Sequence, residues 1–201
     1  MTRLVLIRHG ITKWNKEKRY CGRIDIGLSR DGKAQARLLA KTVSPSDFDK
    51  VYCSSKKRAL ETARIIFKKA KLIKKSSLRE INFGVLEGSR HNDILKKYGD
   101  IYTNWLKDPF RYNIPKAEPM DAFGKRVRTA MADIARSNPG KIVAVVCHGG
   151  VIGIFSGFIK KDRNFWRCVP SSASVTVVEY IGGKPVLKKF NDTRHLEATG
   201  E

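Results

Sequence analysis

Residues 142–150 read Ile-Val-Ala-Val-Val-Cys-His-Gly-Gly. Six apolar residues run without interruption and stop at a histidine. A run of that kind, Ile142–Cys147, predicts a strand buried on both faces, as in a parallel sheet covered by helices. Gly149-Gly150 lead into Val151–Phe158, which reads as a helix. The N-terminus repeats the pattern: Leu4–Ile7 is a compact apolar run, and Arg8-His9-Gly10 follow it.

Outward from these two segments the chain alternates. Ser29 is placed to cap a helix whose apolar residues Ala36, Leu39, Ala40 and Val43 fall at helical spacing. Asp49–Cys53 predicts a strand, and Lys57 to Lys71 a helix with Ala59, Ala63, Ile66 and Ala70 on one face. Leu78–Gly88 reads as loop. Residues 90–107 read as one or two helices closed by Asp108-Pro109. Phe123, Val127, Ala130, Met131 and Ile134 predict a further helix, stopped at Asn138-Pro139-Gly140. Ser174–Tyr180, Gly182-Gly183 and Pro185–Phe190 predict a closing hairpin. The expected fold is α/β, a three-layer α/β/α sandwich around a mainly parallel sheet. A chain of 201 residues suits one domain, 1–201.

Composition narrows the function. Hydrophobic residues are 41% and charged residues 30%, which suits a globular chain. The apolar runs are too short to span a bilayer, and the start, Met1 to Gly10, lacks the long apolar core of a signal peptide. The expected compartment is the cytoplasm, with no membrane partner. Lys and Arg number 41 against 19 Asp and Glu, a formal charge of +22 that attracts anions. The four cysteines, Cys21, Cys53, Cys147 and Cys168, form no CxxC pair, so neither a zinc ribbon nor a redox motif is indicated. The chain has no GxGxxG, no Gly-Lys followed by Ser or Thr, and no GxSxG. No cysteine has an arginine six positions on, and Asp47-Phe48-Asp49 lacks the following Thr of aspartate-nucleophile phosphatases.

Of the four histidines, His9 and His148 share one setting, the carboxyl end of a strand followed by glycine. Ligands of open α/β sheets sit beyond those ends. Each could instead be a core histidine capping its strand. Arg8 beside His9 weighs against that, because a guanidinium is a poor core group and a good bidentate partner for phosphate.

Five ordered segments then carry a family resemblance. Arg8-His9-Gly10-Ile11-Thr12-Lys13-Trp14-Asn15 resembles RHGxTxWN, and Arg19 to Gly22 with Asp25, Leu28 and Ser29 is similar to the loop that follows it. Ser54-Ser55 with Arg58 to Ala63 resembles SS…RAxxTA. Glu80, Phe83-Gly84 and Glu87-Gly88 are similar to LxE..FGxxEG, and Val146 to Gly150 match the second histidine motif. The chain resembles the histidine phosphatase, or phosphoglycerate mutase-like, superfamily. The resemblance implies that His9 is a nucleophile forming phosphohistidine and that Glu80 is the proton donor and acceptor. It implies that Arg8, Arg58 and His148 clamp the phosphoryl group, and that Thr12, Asn15, Cys21, Gly22 and Gly149 border the substrate. Arg58 also lies at a helix start, where the dipole favours phosphate. Glu87 is read as structural. No metal and no cofactor are implied, and a helical insertion at roughly 85–120 is expected to cap the site.

Ile11, Cys21, Leu86 and Ala117-Glu118-Pro119 depart from the family pattern at positions expected to border the pocket. Cys21 reads as a space-filler in preference to a thiol activated by neighbouring cations. The segment after Glu80 is similar to the phosphatase form, and Asn191 to Leu196 resembles a C-terminal motif of α-ribazole phosphatases. The expected activity is therefore hydrolysis of a small-molecule phosphate ester, most similar to α-ribazole phosphatase. The rivals are a 2,3-bisphosphoglycerate-dependent phosphoglycerate mutase, an inactive relative, and a basic nucleic-acid-binding protein. The lysine pairs are scattered and lack interleaved aromatics, which disfavours the last. A homodimer remains open, and His91 and His195 have no assigned role.

Overall fold

In the computed structural model, which describes residues 1–197, six strands form one mixed sheet flanked by helices. The strands are β1 (Thr2–Arg8), β2 (Lys50–Ser54), β3 (Leu72–Lys75), β4 (Ile142–Cys147), β5 (Val175–Ile181) and β6 (Lys184–Asp192). Their spatial order is β3-β2-β4-β1-β5-β6. The first four are mutually parallel; β5 runs antiparallel to β1, and β6 antiparallel to β5.

Alternation along the central strands divides the core. Leu4, Leu6, Val143 and Val145 face α5 (Met120–Arg136) and α6 (Gly149–Lys160), where Phe123, Met131, Ile152 and Phe155 cover them. Val5, Ile7, Ala144 and Val146 face α2 (Arg30–Thr42) and α3 (Lys57–Ile66), against Ala36, Leu39, Ala63 and Ile66. Two covered faces are why these strands read as continuous apolar runs. Each fully buried Val, Leu, Ile, Phe or Met side chain among them contributes about 1.5–3 kcal/mol of hydrophobic stabilisation.

Local signals behave as expected at Ser29, whose hydroxyl accepts from Gly32 N at 3.1 Å and starts α2. They mislead at 57–71. The helix ends at Ile66, and Leu72–Lys75 form an edge strand paired with β2. Its Lys74 and Lys75 are exposed, lysines that protect a sheet edge and leave no alternating apolar pattern to read. Residues 91–107 form α4 (His91–Lys107), two helical stretches that meet at Gly99 (φ 36°). Around it a third cluster forms, with Leu86, Ile94, Tyr102, Trp105 and Ile114 buried together. The remaining helices are short, α1 (Lys13–Lys16) and α7 (Arg194–Glu197).

Candidate active site

The register of β1 on β4 brings the two histidines together. Arg8 lies opposite Cys147, so His9 and His148 leave the sheet side by side, with His9 N donating to Cys147 O at 3.1 Å. The rings meet edge-on, centroids 5.2 Å apart. His9 Nδ1 is 2.8 Å from Gly10 O. A carbonyl only accepts, so Nδ1 carries the proton and Nε2 keeps its lone pair. Burial first, and then Arg58 and Arg8, hold the imidazole pKa well below its ordinary value, so the ring is neutral. His148 is fully buried and has the opposite tautomer. Its Nδ1 accepts from Arg58 Nε at 3.2 Å, so Nε2 donates to Ser54 Oγ at 2.8 Å. Burial, then Arg58, keep it neutral as well.

Two guanidiniums face these rings. Arg58, on the first turn of α3, is 1% exposed and bonds to four acceptors: His148 Nδ1 and the carbonyls of Ile24, Cys21 and Gly22. The loop that supplies those carbonyls is itself held by Glu87, which accepts from the backbone N–H groups of Gly22, Arg23, Ile24 and Phe83. Glu87 thus holds the loop together as a structural carboxylate. Arg8 donates Nη1 to Pro170 O, while its Nε is buried without a partner among the described residues. A buried charged donor left unpaired is costly unless a ligand completes it.

Glu80 is 8% exposed and accepts from Gly150 N at 2.8 Å and Ile81 N at 3.0 Å. Burial raises its pKa above the ordinary carboxylate value, outweighing those bonds and both arginines. The glycines that begin α6 make this packing possible. A Cβ on Gly149 would stand 2.9 Å from Arg8 Cζ, and one on Gly150 2.4 Å from Glu80 Oε1.

Arg8, His9, Arg58, Glu80 and Gly149 line one cavity of about 400 Å³. Thr12 and Asn15 line it too, locked in a capping box that starts α1. Asn15 Oδ1 accepts from Thr12 N and Oγ1, so Nδ2 is the donor left for the cavity. Cys21 lines the cavity, but burial pushes its thiol pKa up; it is a filler rather than an activated thiol. Two expected residues do not line it. Gly22 is buried and contributes its carbonyl to Arg58, and His148 lies behind Arg58 with both ring nitrogens engaged. Of the family departures, only Cys21 reaches the cavity. Ile11 and Leu86 stay outside it, and Glu118 is paired with Arg126 at 2.7 Å.

Much of the remaining wall is aromatic: Tyr20, Phe83, Phe165 and Trp166, with Arg19 at 2.8 Å from Gly88 O. No residue of 85–120 lines the cavity. Trp105 instead backs the wall, edge-on to Tyr20, Phe83 and Trp166. His91 belongs to this support, its Nδ1 2.8 Å from Tyr102 OH, which bonds Tyr20 OH at 2.8 Å. Residues 191–196 are also outside. Asn191 Oδ1 accepts from Ser171 N at 2.7 Å, so this stretch shapes the loop that carries Pro170 and says nothing direct about the substrate.

The model of the histidine phosphatase superfamily (branch 1) matches residues 4–193. The chain belongs to the histidine phosphatase superfamily. It is 30% identical to phosphoserine phosphatase 1 of Hydrogenobacter thermophilus, over 98% of this chain and 95% of that one. A phosphoserine phosphatase mutant of Entamoeba histolytica, solved with phosphoserine, superposes with a TM-score of 0.87 at 28% identity, covering 98% of this chain and all of that one. The α-ribazole phosphatase of Shigella flexneri superposes with a TM-score of 0.84 at 26% identity, covering 95% and 96%. Of the wall, Tyr20 and Phe83 lie in motifs already quoted, whereas Phe165 and Trp166 are the residues that sequence reasoning passed over. Phe165-Trp166, adjacent aromatics in the polar stretch Asp162 to Arg167, were the available signal.

Proposed function

We propose that this protein is a metal-independent phosphomonoesterase that works through phosphohistidine at His9 Nε2. The observation that carries this reading is a free Nε2 lone pair on a neutral His9, with the guanidinium-bearing Arg8 and Arg58 and the carboxyl-bearing Glu80 lining the same cavity. In the first step Nε2 attacks phosphorus and the ester O–P bond breaks. Arg8 and the remaining N–H of Arg58 balance the phosphoryl charge, and protonated Glu80 gives its proton to the leaving alkoxide. In the second step water attacks phosphorus, its proton passes to the Glu80 carboxylate, the Nε2–P bond breaks to restore neutral His9, and orthophosphate leaves. His148 acts through Arg58, whose Nε its Nδ1 holds, and so positions that guanidinium for the phosphoryl group.

For the alcohol half we favour a ring-bearing ester of the α-ribazole 5′-phosphate kind. Four aromatic rings in a cavity of about 400 Å³ offer stacking surface that a serine side chain leaves unused. The relatives named as phosphoserine phosphatases support phosphoserine as the second reading. The test is phosphate release in EDTA from α-ribazole 5′-phosphate, phosphoserine, 3-phosphoglycerate and fructose 2,6-bisphosphate, with His9→Ala as control. Release that survives EDTA and vanishes in the variant is expected, fastest for the ring-bearing ester. Faster turnover of phosphoserine would reverse the substrate choice. Turnover only of 3-phosphoglycerate with 2,3-bisphosphoglycerate would make the protein a mutase.

A further inference from the structure

A second cavity, about 710 Å³, lies in a groove beside α5 and α6 and shares only Phe165 with the lining of the active-site cavity. Its floor is apolar: Gly153, Ile154 and Phe158 of α6, with Phe110 and Phe165 alongside. Phe158 is 51% exposed, which leaves much of a large apolar side chain in water. The rim is cationic, formed by Arg128, Lys161, Arg163 and Lys184. Two of these cations already lie over aromatic faces, Arg128 at 5.1 Å from the Phe158 centroid and Arg163 at 5.7 Å from that of Phe110. The carboxylates at the rim, Asp121 and Asp162, are fewer than the four cations and form no ion pair with them among the described residues, so the rim keeps a net positive charge.

We propose that this groove is a second binding site, for a small amphiphilic anion: an apolar body with one carboxylate, sulfonate or phosphate head. The apolar floor removes the body from water, and the unmatched rim cations select the sign of the head. Both halves are needed. A neutral apolar ligand leaves the rim charge unmet, and a bare anion leaves Phe158 in water.

The probe is 8-anilinonaphthalene-1-sulfonate, titrated by fluorescence into the full chain and displaced by decanoate below its micellar concentration. Saturable binding at one site is expected. It weakens by about tenfold or more in Phe158→Ser and in the double variant Lys161→Glu, Lys184→Glu, since each removes one of the two required contacts. All three positions are exposed, so the fold survives, which thermal melts check. Phe83→Ser, in the wall of the active site, leaves probe binding unchanged. Absence of saturable binding overturns the proposal. So does loss of binding in Phe83→Ser with retention in the groove variants, which would place the probe in the catalytic cavity. A concentration-dependent dimer broken by Phe158→Ser overturns it too, by giving the groove to a second copy of the chain. None of these readouts depends on phosphatase activity.

Discussion

Burial acts in opposite chemical directions on the two groups that titrate during the proposed reaction. It lowers the pKa of His9 and raises that of Glu80, because each loses water around its charged form. His9 therefore stays a neutral nucleophile below the ordinary histidine pKa of about 6.5. Glu80 stays a proton donor above the ordinary carboxylate range. For alkyl esters the acid limb of kcat should fall below the usual histidine range, and activity should decline as pH rises through the raised pKa of Glu80. Glu80→Gln should lower kcat for an alkyl ester about 10²- to 10⁴-fold. With p-nitrophenyl phosphate, whose leaving group needs no proton, the same variant should give one rapid equivalent of nitrophenol and then slow turnover. A uniform loss without that burst would take Glu80 out of the hydrolysis step.

At the scale of elements, the phosphate clamp is only as good as the loop that holds it. Asp25 Oδ1 accepts from Lys57 N at 2.8 Å, capping α3 from a distant loop where Lys56 supplies no side-chain cap. Asp25→Ala should cost about 1 kcal/mol, a fall in Tm of roughly 2–4 °C for a chain of this size. Glu87→Ala removes the acceptor of four loop N–H groups. The carbonyls of Cys21, Gly22 and Ile24 then lose the position from which they hold Arg58. KM for the phosphate ester should rise more than kcat falls, and steady-state kinetics of the two variants separate this effect from plain loss of stability. The elements also differ in how far they can be read in advance. The strand Ile142–Cys147 and the Ser29 cap are dictated by neighbours in the chain. The edge strand β3 exists because β2 offers it hydrogen bonds, and no spacing within Leu72–Lys75 announces that.

For the whole molecule, the surplus charge of +22 is a property of the field rather than of any one contact. It should speed the capture of anionic esters, so kcat/KM should fall from low to high salt while kcat changes little. A salt-independent kcat/KM would show that the field does not reach the encounter step. Domain arrangement follows the same division of labour. Residues of 85–120, Tyr102 and Trp105 among them, back the cavity wall at Tyr20, Phe83 and Trp166. Apart from β3, the order of strands and helices and the placing of His9 and His148 at strand ends were legible in the chain, and the family motifs singled out Arg8, Arg58 and Glu80, which the fold brings to one cavity with His9. The histidines lie where a strand must stop and a glycine must admit a neighbour; the arginines and Glu80 were marked by their motifs alone. Folding decided the opposite tautomers of His9 and His148, the withdrawal of His148 and Gly22 from the cavity, and the unpaired Nε of Arg8. Folding likewise assembled the aromatic wall. These depend on groups far apart in sequence meeting in water-poor space, and a phenylalanine that lines a cavity has the same letter as one that fills a core.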